Sequence, residues 1–469
     1  MKNYYKILLL SALYLLPSCK KWLDVKPKTQ IESSTNFVDE QGFKDALTGV
    51  YLNMAKPDLY GKELSYGFME VLAKNYTQSS AFNPYYEDGN YNYRNAATKT
   101  RIDNVWKQGY NSIANLNNLI ENINVANQGL FSGSDYNVIK GEAYGLRAFL
   151  HFDLLRLYAP SAASAGLTGP GIPYRDRLQT ANIPRSTIGE TINKIIADLQ
   201  VAATALKTGD PLVKGSTIPS TTTGYLRDRQ YKFNYYAVQA LLARVYLYAG
   251  DKVNALASAR EVINAEVFPA TPVSAIISGN KIMSTEVIFN INVNNLSAVY
   301  DASFSLTVPT GMYLSGTEWD TVYERTTIGS GDYRYLYQTN QTSYFRVSTK
   351  LSPEGNTLAP NRLPLIRVSE MYNIAAECLG ATDPQAAVTY LNTIRRRRNI
   401  PELVGSYTAA QIQAEVFKEY RKDYICEGQL FYYYKRLNLS KIEFTQTVAN
   451  NTIYVLPVPD DEIEFGNVN

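Results

Sequence analysis

Apolar residues recur at helical spacing through most of this chain. Phe43, Ala46, Leu47, Val50, Tyr51 and Met54 lie at i, i+3, i+4, i+7, i+8 and i+11, one stripe of a helix that starts near Asp39, a good N-cap residue. A second stripe runs through Val105, Trp106, Gly109, Ile113, Leu116, Leu119, Ile120 and Ile123. A third carries Ala143, Leu146, Leu150, Leu154 and Leu157 and is stopped by Pro160. Thr187 and Glu190 have the spacing of a capping box ahead of Ile192, Ile195, Ile196, Leu199 and Leu206. Thr408 and Gln411 repeat that spacing before a helix expected to run to about Tyr424.

Two later segments are alike. "LLARVYLYAGDKVNALASAREVI" and "NIAAECLGATDPQAAVTYLNTIR" each give a helix, a turn (Gly250-Asp251 or Asp383-Pro384) and a second amphipathic helix, with small residues at close-packing positions. That is the tetratricopeptide pattern. Such hairpins bury their apolar faces only by stacking, so at least three are needed, and the earlier stripes supply the other members. Between the two pairs "EVIFNIN" alternates like a strand, and Ser297 to Arg346 reads as loop. The expected fold is mainly α. Tetratricopeptide-like hairpins over about 38–56, 102–158, 187–263 and 366–424 form a scaffold, with an irregular loop-rich part at about 57–100 and 268–365 and a few short strands. All of it belongs to a single domain, 19–469.

Residues 1–18 follow a different rule. Lys2 and Lys6 precede the mostly apolar run Ile7 to Leu16, which is too short to span a bilayer and reads as the h-region of a secretory signal. Leu16-Pro17-Ser18-Cys19 resembles a bacterial lipobox, in which cleavage before the cysteine frees its thiol for lipidation. An ordinary signal peptide with a chance cysteine is the alternative. Acyl chains contribute about 0.8 kcal/mol per buried CH₂, so Cys19 would anchor the chain without a transmembrane helix.

Composition narrows the chemistry. The 469 residues carry a net charge of +3 and one histidine, His151. Near-neutrality removes the electrostatic case for nucleic acid, and a single histidine disfavours His-based triads and metal sites. His151, in "AFLHFDLL", reads as a helix-packing imidazole. The run Arg395 to Arg398 reads as the cationic end of a helix. Cys378 and Cys426, both in expected helices, read as buried thiols rather than a bridge. No phosphate loop, dinucleotide fingerprint, H-E-x-x-H or EF-hand loop occurs, and no cofactor or metal is expected. Hydrolysis by carboxylates needs no histidine, which keeps Glu318, Asp320, Glu324 and Asp332 as candidates for a glycosidase pair. Asp/Asn/Glu loops would also suit calcium generically.

Tyrosine is the outlier, with 38 residues. "NPYYEDGNYNYRN" interleaves Tyr85, Tyr86, Tyr91 and Tyr93 with amides and Arg94, and "GTEWDTVYERTTIGSGDYRYLY" offers Trp319, Asp320 and Tyr323. Aromatic faces stack on sugar rings while amides and carboxylates bond their hydroxyls, so these eight residues are the candidate ligand contacts. The alternative is that the rings pack the loops onto the helices.

The order of motifs completes the picture. "PSCKKWLDVKPKTQ", "VWKQGYNSIANLNNLIENI", "GEAYGLRAFLHFDLLRLYA", "LPLIRVSEMYNIAAECL", "AVTYLNTIRRRRNIPEL", "EVFKEYRKDYICEGQLFYYYKRLN" and "YVLPVPDDEI" together resemble the SusD/RagB family of outer-membrane lipoproteins from Bacteroidetes. The resemblance implies a non-enzymatic, lipid-anchored protein at the cell surface. It would capture an oligosaccharide, or sometimes a peptide, and deliver it to a SusC-like TonB-dependent transporter. A glycosidase built on the 318–332 carboxylates, and a scaffold that holds only a protein partner, are the competing expectations.

Overall fold

A computed structural model describes residues 36–77, 81–179, 181–218, 224–304, 311–341, 345–353, 356–357 and 359–466; the expected leader, 1–18, and Cys19 lie outside the described residues. The long helices are α1 (Glu40–Met54), α2 (Ala96–Val125), α3 (Asp135–Tyr158), α4 (Ile188–Gly209), α5 (Tyr235–Ala249), α6 (Lys252–Ala265), α7 (Val368–Leu379), α8 (Pro384–Arg397) and α9 (Ala409–Asp423). They pack in a row: α1 and α3 on α2, α4 on α3, α5 on α4, α6 on α5, α7 on α6, with α8 and α9 against α7. This is the mainly α, stacked-hairpin architecture expected.

The start and stop signals act as read. Asp39 accepts from Gly42 N at 2.9 Å. Thr187 with Glu190, and Thr408 with Gln411, form complete capping boxes. Asp383 caps α8 with Pro384 at its first position. Gly250 takes φ = 85° to close α5, the left-handed conformation that glycine adopts without steric cost. Close packing depends on missing side chains. A Cβ at Gly141 would lie 2.5 Å from Leu206 Cγ, and one at Gly145 would lie 2.4 Å from Phe233, so α3 meets its neighbours where it carries glycine.

Two short sheets complete the fold. β1 (Val287–Asn292) pairs antiparallel with β5 (Arg362–Arg367), while β2 (Leu314–Ser315), β4 (Phe345–Ser348) and β3 (Thr339–Gln341) form a second sheet with β4 in the centre. The stretch from 297 to 346 is more regular than a loop. Leu296–Phe304, Gly316–Val322 and Tyr333–Tyr337 are short helices, the first burying Leu296, Tyr300 and Phe304 at every fourth position. Elements of five to nine residues are too brief for periodicity to announce them.

Three further readings change or gain content. Cys378 and Cys426 are buried and unbridged, but Cys426 lies in a turn with φ = 68°, after α9 has ended. There the N–H groups of Cys426 and Gly428 donate to Glu70 at 3.1 and 2.8 Å; burial raises the Glu70 carboxyl to about 7. The arginine run ends α8 as read, with Arg395, Arg396 and Arg397 in the last turn and Arg398 at the cap, and it is also tied into the core. Arg398 is buried between Asp423 (2.8 Å) and Glu286 (2.8 Å), and Arg395 pairs with Glu415 at 3.2 Å; only Arg396 is exposed. His151 packs as read. It stacks on Tyr174 with ring centroids 3.9 Å apart, donates from Nδ1 to Arg147 O (2.9 Å) and accepts at Nε2 from Arg175 N (3.1 Å). Burial, then the nearby Arg147 cation, pushes its pKa down to about 3, so it is neutral.

Candidate ligand-binding site

A hollow of about 830 Å³ opens where residues 91–94, the first turns of α2, Arg185 and the C-terminal stretch 451–460 meet. Its volume lies in the range of small-molecule sites, about 300–1,000 Å³. The wall at 91–94 is fixed from both sides. Asn95 caps α2 through Ala97 N at 2.9 Å. Tyr91 takes φ = 57°, donates to Leu72 O at 3.0 Å and lies beneath the Lys74 ammonium, 5.0 Å from its ring. Tyr93 donates to Ile453 O at 2.6 Å, tying the wall to the C-terminal stretch. Lys99 bridges Asp103 (2.8 Å) and Asp460 (3.4 Å), holding the opposite lip.

Two cations in this hollow form no ion pair or hydrogen bond among the described residues. Arg94 is exposed, and Arg185 is half-buried; burial lowers the pKa of Arg185, and the nearby Tyr110 pulls the other way. Guanidinium groups have five N–H donors and no acceptor, so both can donate to ligand hydroxyls. Asn92, Asn451 and Thr452 add amides and a hydroxyl at the rim, and Tyr91 offers a half-buried ring. Arg185 has no signal in the sequence: it stands in an irregular stretch, and only the folding of 170–187 back onto itself, with Pro170 bridged to Thr187, brings it here.

The other candidate contacts point elsewhere. Tyr85 is buried, its hydroxyl on both Glu63 oxygens (2.9 and 3.0 Å) and its ring under Arg101 at 4.4 Å. Tyr86 is half-buried and outside the hollow's lining. Trp319 is fully buried: Nε1 donates to Arg346 O at 2.6 Å, and the indole stacks on Tyr323, itself buried, at 5.6 Å. Asp320 accepts from Tyr335 (3.2 Å) and Arg325 (3.3 Å). The expectation that Tyr85, Trp319 and Tyr323 stack on a ligand is therefore corrected: each buries its apolar area, and Tyr85 and Trp319 also satisfy their polar atoms internally. Among the described residues, no hydrogen bond or ring contact joins 85–94 to 316–337, so the two aromatic segments do not form one wall.

The four carboxylates are also committed. Glu318 closes a capping box with Ser315, Glu324 pairs with Lys418 (3.0 Å) and Lys422 (2.8 Å), and Asp332 is buried on Arg334 at 2.7 Å. None lines the hollow. Near this region the sequence did not single out a further aromatic pair, Tyr313 just before β2 and Phe345 at the start of β4, with ring centroids 4.1 Å apart and Phe345 40% exposed. Phe82 is 88% exposed. No three His, Cys, Asp or Glu among the described residues are placed to hold a metal ion, and no described helix is long and apolar enough to cross a membrane.

Comparison with known proteins places these features in a family. Residues 21–247 match a SusD-like family described as starch-binding and associating with the outer membrane, and residues 304–462 match the SusD family proper. Two SusD-like proteins of Formosa agariphila are 24% and 23% identical, the alignments covering 92% and 98% of this chain and 90% and 97% of theirs. A SusD superfamily protein of Bacteroides thetaiotaomicron superposes with a TM-score of 0.71 at 24% identity, over 92% of this chain and 99% of its own. A SusD-like carbohydrate binding protein of Bacteroides vulgatus gives 0.72 at 17%, over 92% and 97%.

Proposed function

The chain belongs to the SusD family, and from that premise we propose that it is a non-enzymatic binding protein that captures an oligosaccharide in the hollow between residues 91–94 and 451–460. The supporting observation is the pair of guanidinium groups without an ion pair or hydrogen bond, Arg94 and Arg185, beside the half-buried Tyr91 ring in a preformed concavity. Ring stacking and donors to hydroxyls suit a neutral glycan, and the engagement of Glu318, Asp320, Glu324 and Asp332 by internal partners leaves a glycosidase pair unsupported.

The wider role follows the family. The protein would be held at the outer membrane by a lipid on Cys19, facing outward, and would pass its ligand to a SusC-like TonB-dependent transporter. The stacked hairpins would supply the rigid partner surface. The test is calorimetric titration against a panel of neutral oligosaccharides, together with copurification from native membranes. A saturable glycan complex without product formation, weakened by Arg94→Ala, supports the reading; turnover, or unaltered affinity in that variant, contradicts it.

A further inference from the structure

A second cleft, separate from the hollow, has an unusual charge balance. It measures about 450 Å³ and lies where α1, the 227–232 turn and the open edge of β1 and β5 meet. Lys232 and Arg362 both line it, and both are half-buried. Neither forms an ion pair among the described residues. The Lys232 ammonium instead lies 4.9 Å from the Tyr51 ring and 5.0 Å from the Tyr225 ring. Arg362 lies 4.7 Å over the Tyr231 ring, with Nε donating to the Tyr231 hydroxyl at 2.6 Å. Aromatic faces hold the cations in place without neutralising them.

The carboxylates near the cleft are already committed. Glu142 accepts from Tyr51 at 2.7 Å and Tyr225 at 3.3 Å and pairs with buried Arg229 behind them. Asp228, on the rim, pairs with its neighbour Arg227 at 2.8 Å. Burial lowers the Lys232 pKa, with Glu142 pulling the other way and Arg229 adding to the fall. A half-buried cation without a counterion is costly unless something supplies the charge. The floor is partly apolar, with Leu52 56% exposed, and Asn292 stands directly opposite Arg362 in the strand register.

We propose that this cleft binds an oxyanion-bearing sugar: a carboxylate or sulfate ester held by Arg362 and Lys232, with the ring's apolar face on Leu52 and a hydroxyl on Asn292. The planar fork of arginine suits both oxyanions, and the volume admits a short oligosaccharide rather than a protein surface. The sugar half of the proposal rests on the binding function inferred above; the oxyanion half rests on the cleft alone.

Titration of the full-length protein with trigalacturonate, a galactose sulfate, neutral galactotriose and a hexa-aspartate peptide tests it. The expected result is binding of one or both charged sugars at least tenfold tighter than galactotriose, weakening as salt is raised. Arg362→Gln and Lys232→Gln should each lower that affinity at least tenfold, while Arg396→Gln, an exposed change on α8 away from both cavities, leaves it unchanged. If Arg362→Gln does not fold, as judged by its urea transition, the exposed Arg227→Gln should still lower the affinity measurably. Equal binding of galactotriose, tighter binding of the peptide, no binding of either charged sugar, or indifference to the cleft substitutions would overturn the proposal. Failure of the hollow would show separately, as neutral-glycan binding that ignores Arg94→Ala.

Discussion

Segments 85–94 and 316–337 have nearly the same vocabulary, tyrosines among polar and charged residues, yet the fold uses them in opposite ways. The first forms one wall of a hollow. The second is drawn inward, because its arginine is needed in the core: Arg334 is buried with bonds to Asp332 (2.7 Å), Glu419 (2.9 Å) and Asp423 (3.0 Å). Arg398 shares Asp423, and Lys422 joins Glu419 to Glu324. Burial acts to raise the Glu419 pKa, but Lys422, Arg334 and Arg395 outweigh it and bring it down to about 2. Such a network tolerates no displacement, so Trp319 and Tyr323 follow Arg334 inward. An aromatic residue's exposure is set by what its neighbours must reach, not by its own surface preference.

The contrast breaks most visibly at Arg334. Arg334→Met leaves three buried carboxylates short of a cation and should cost about 3–5 kcal/mol, measured as a lower urea midpoint. Glycan affinity at temperatures where the variant is folded should not change. Trp319→Ala should also destabilise by about 3–5 kcal/mol, again without changing affinity in a binding titration; a selective loss of binding would restore Trp319 to the ligand surface. The reverse signature belongs to the other segment. Tyr91→Ala should weaken glycan binding by about 1–3 kcal/mol, the size of a stacking contact, while its urea midpoint falls by much less than that of Trp319→Ala.

The smallest effect reaches the hollow from behind. His151 holds the backbone at Arg175, in the stretch that leads to Arg185. Its folded pKa, about 3, lies below the ordinary 6.5, so the unfolded chain binds more protons on acidification. The stability it confers is therefore complete above 6.5 and declines as pH falls towards 3. By about pH 5.5 the loss should be roughly 1.4 kcal/mol. Glu70, raised to about 7, gains stability on acidification over the same range in both chains, so the slope is read as a difference: in a pH series of urea midpoints the native protein should lose stability relative to His151→Gln as pH falls from 7 to 5.5.

The scaffold was legible because its signals are local and repeated: Asp39, the Thr187 and Thr408 boxes and Gly250 each act within one turn of their own position. The hollow was legible only in part. Tyr91, Tyr93 and Arg94 stood out by composition, but Arg185 is about ninety residues away along the chain, and the C-terminal stretch far more. The burial of Trp319 depends on Arg346 O, presented by β4, and on Arg334's partners in α9. The run at 395–398 was legible as the end of α8 but its burial was not, for the same reason: its counter-charges come from far along the chain, Glu286 from just ahead of β1 and Glu415 and Asp423 from α9. Long-range charge pairing leaves no periodicity to read.

The most direct test of the central claim is the affinity of one tightly bound neutral oligosaccharide for the native protein, the double variant Arg94→Ala/Arg185→Ala, and Trp319→Phe, measured by calorimetry under one buffer condition. Loss of at least tenfold in the double variant with Trp319→Phe unchanged is the predicted outcome. Native affinity in the double variant, with binding lost in Trp319→Phe, would contradict it.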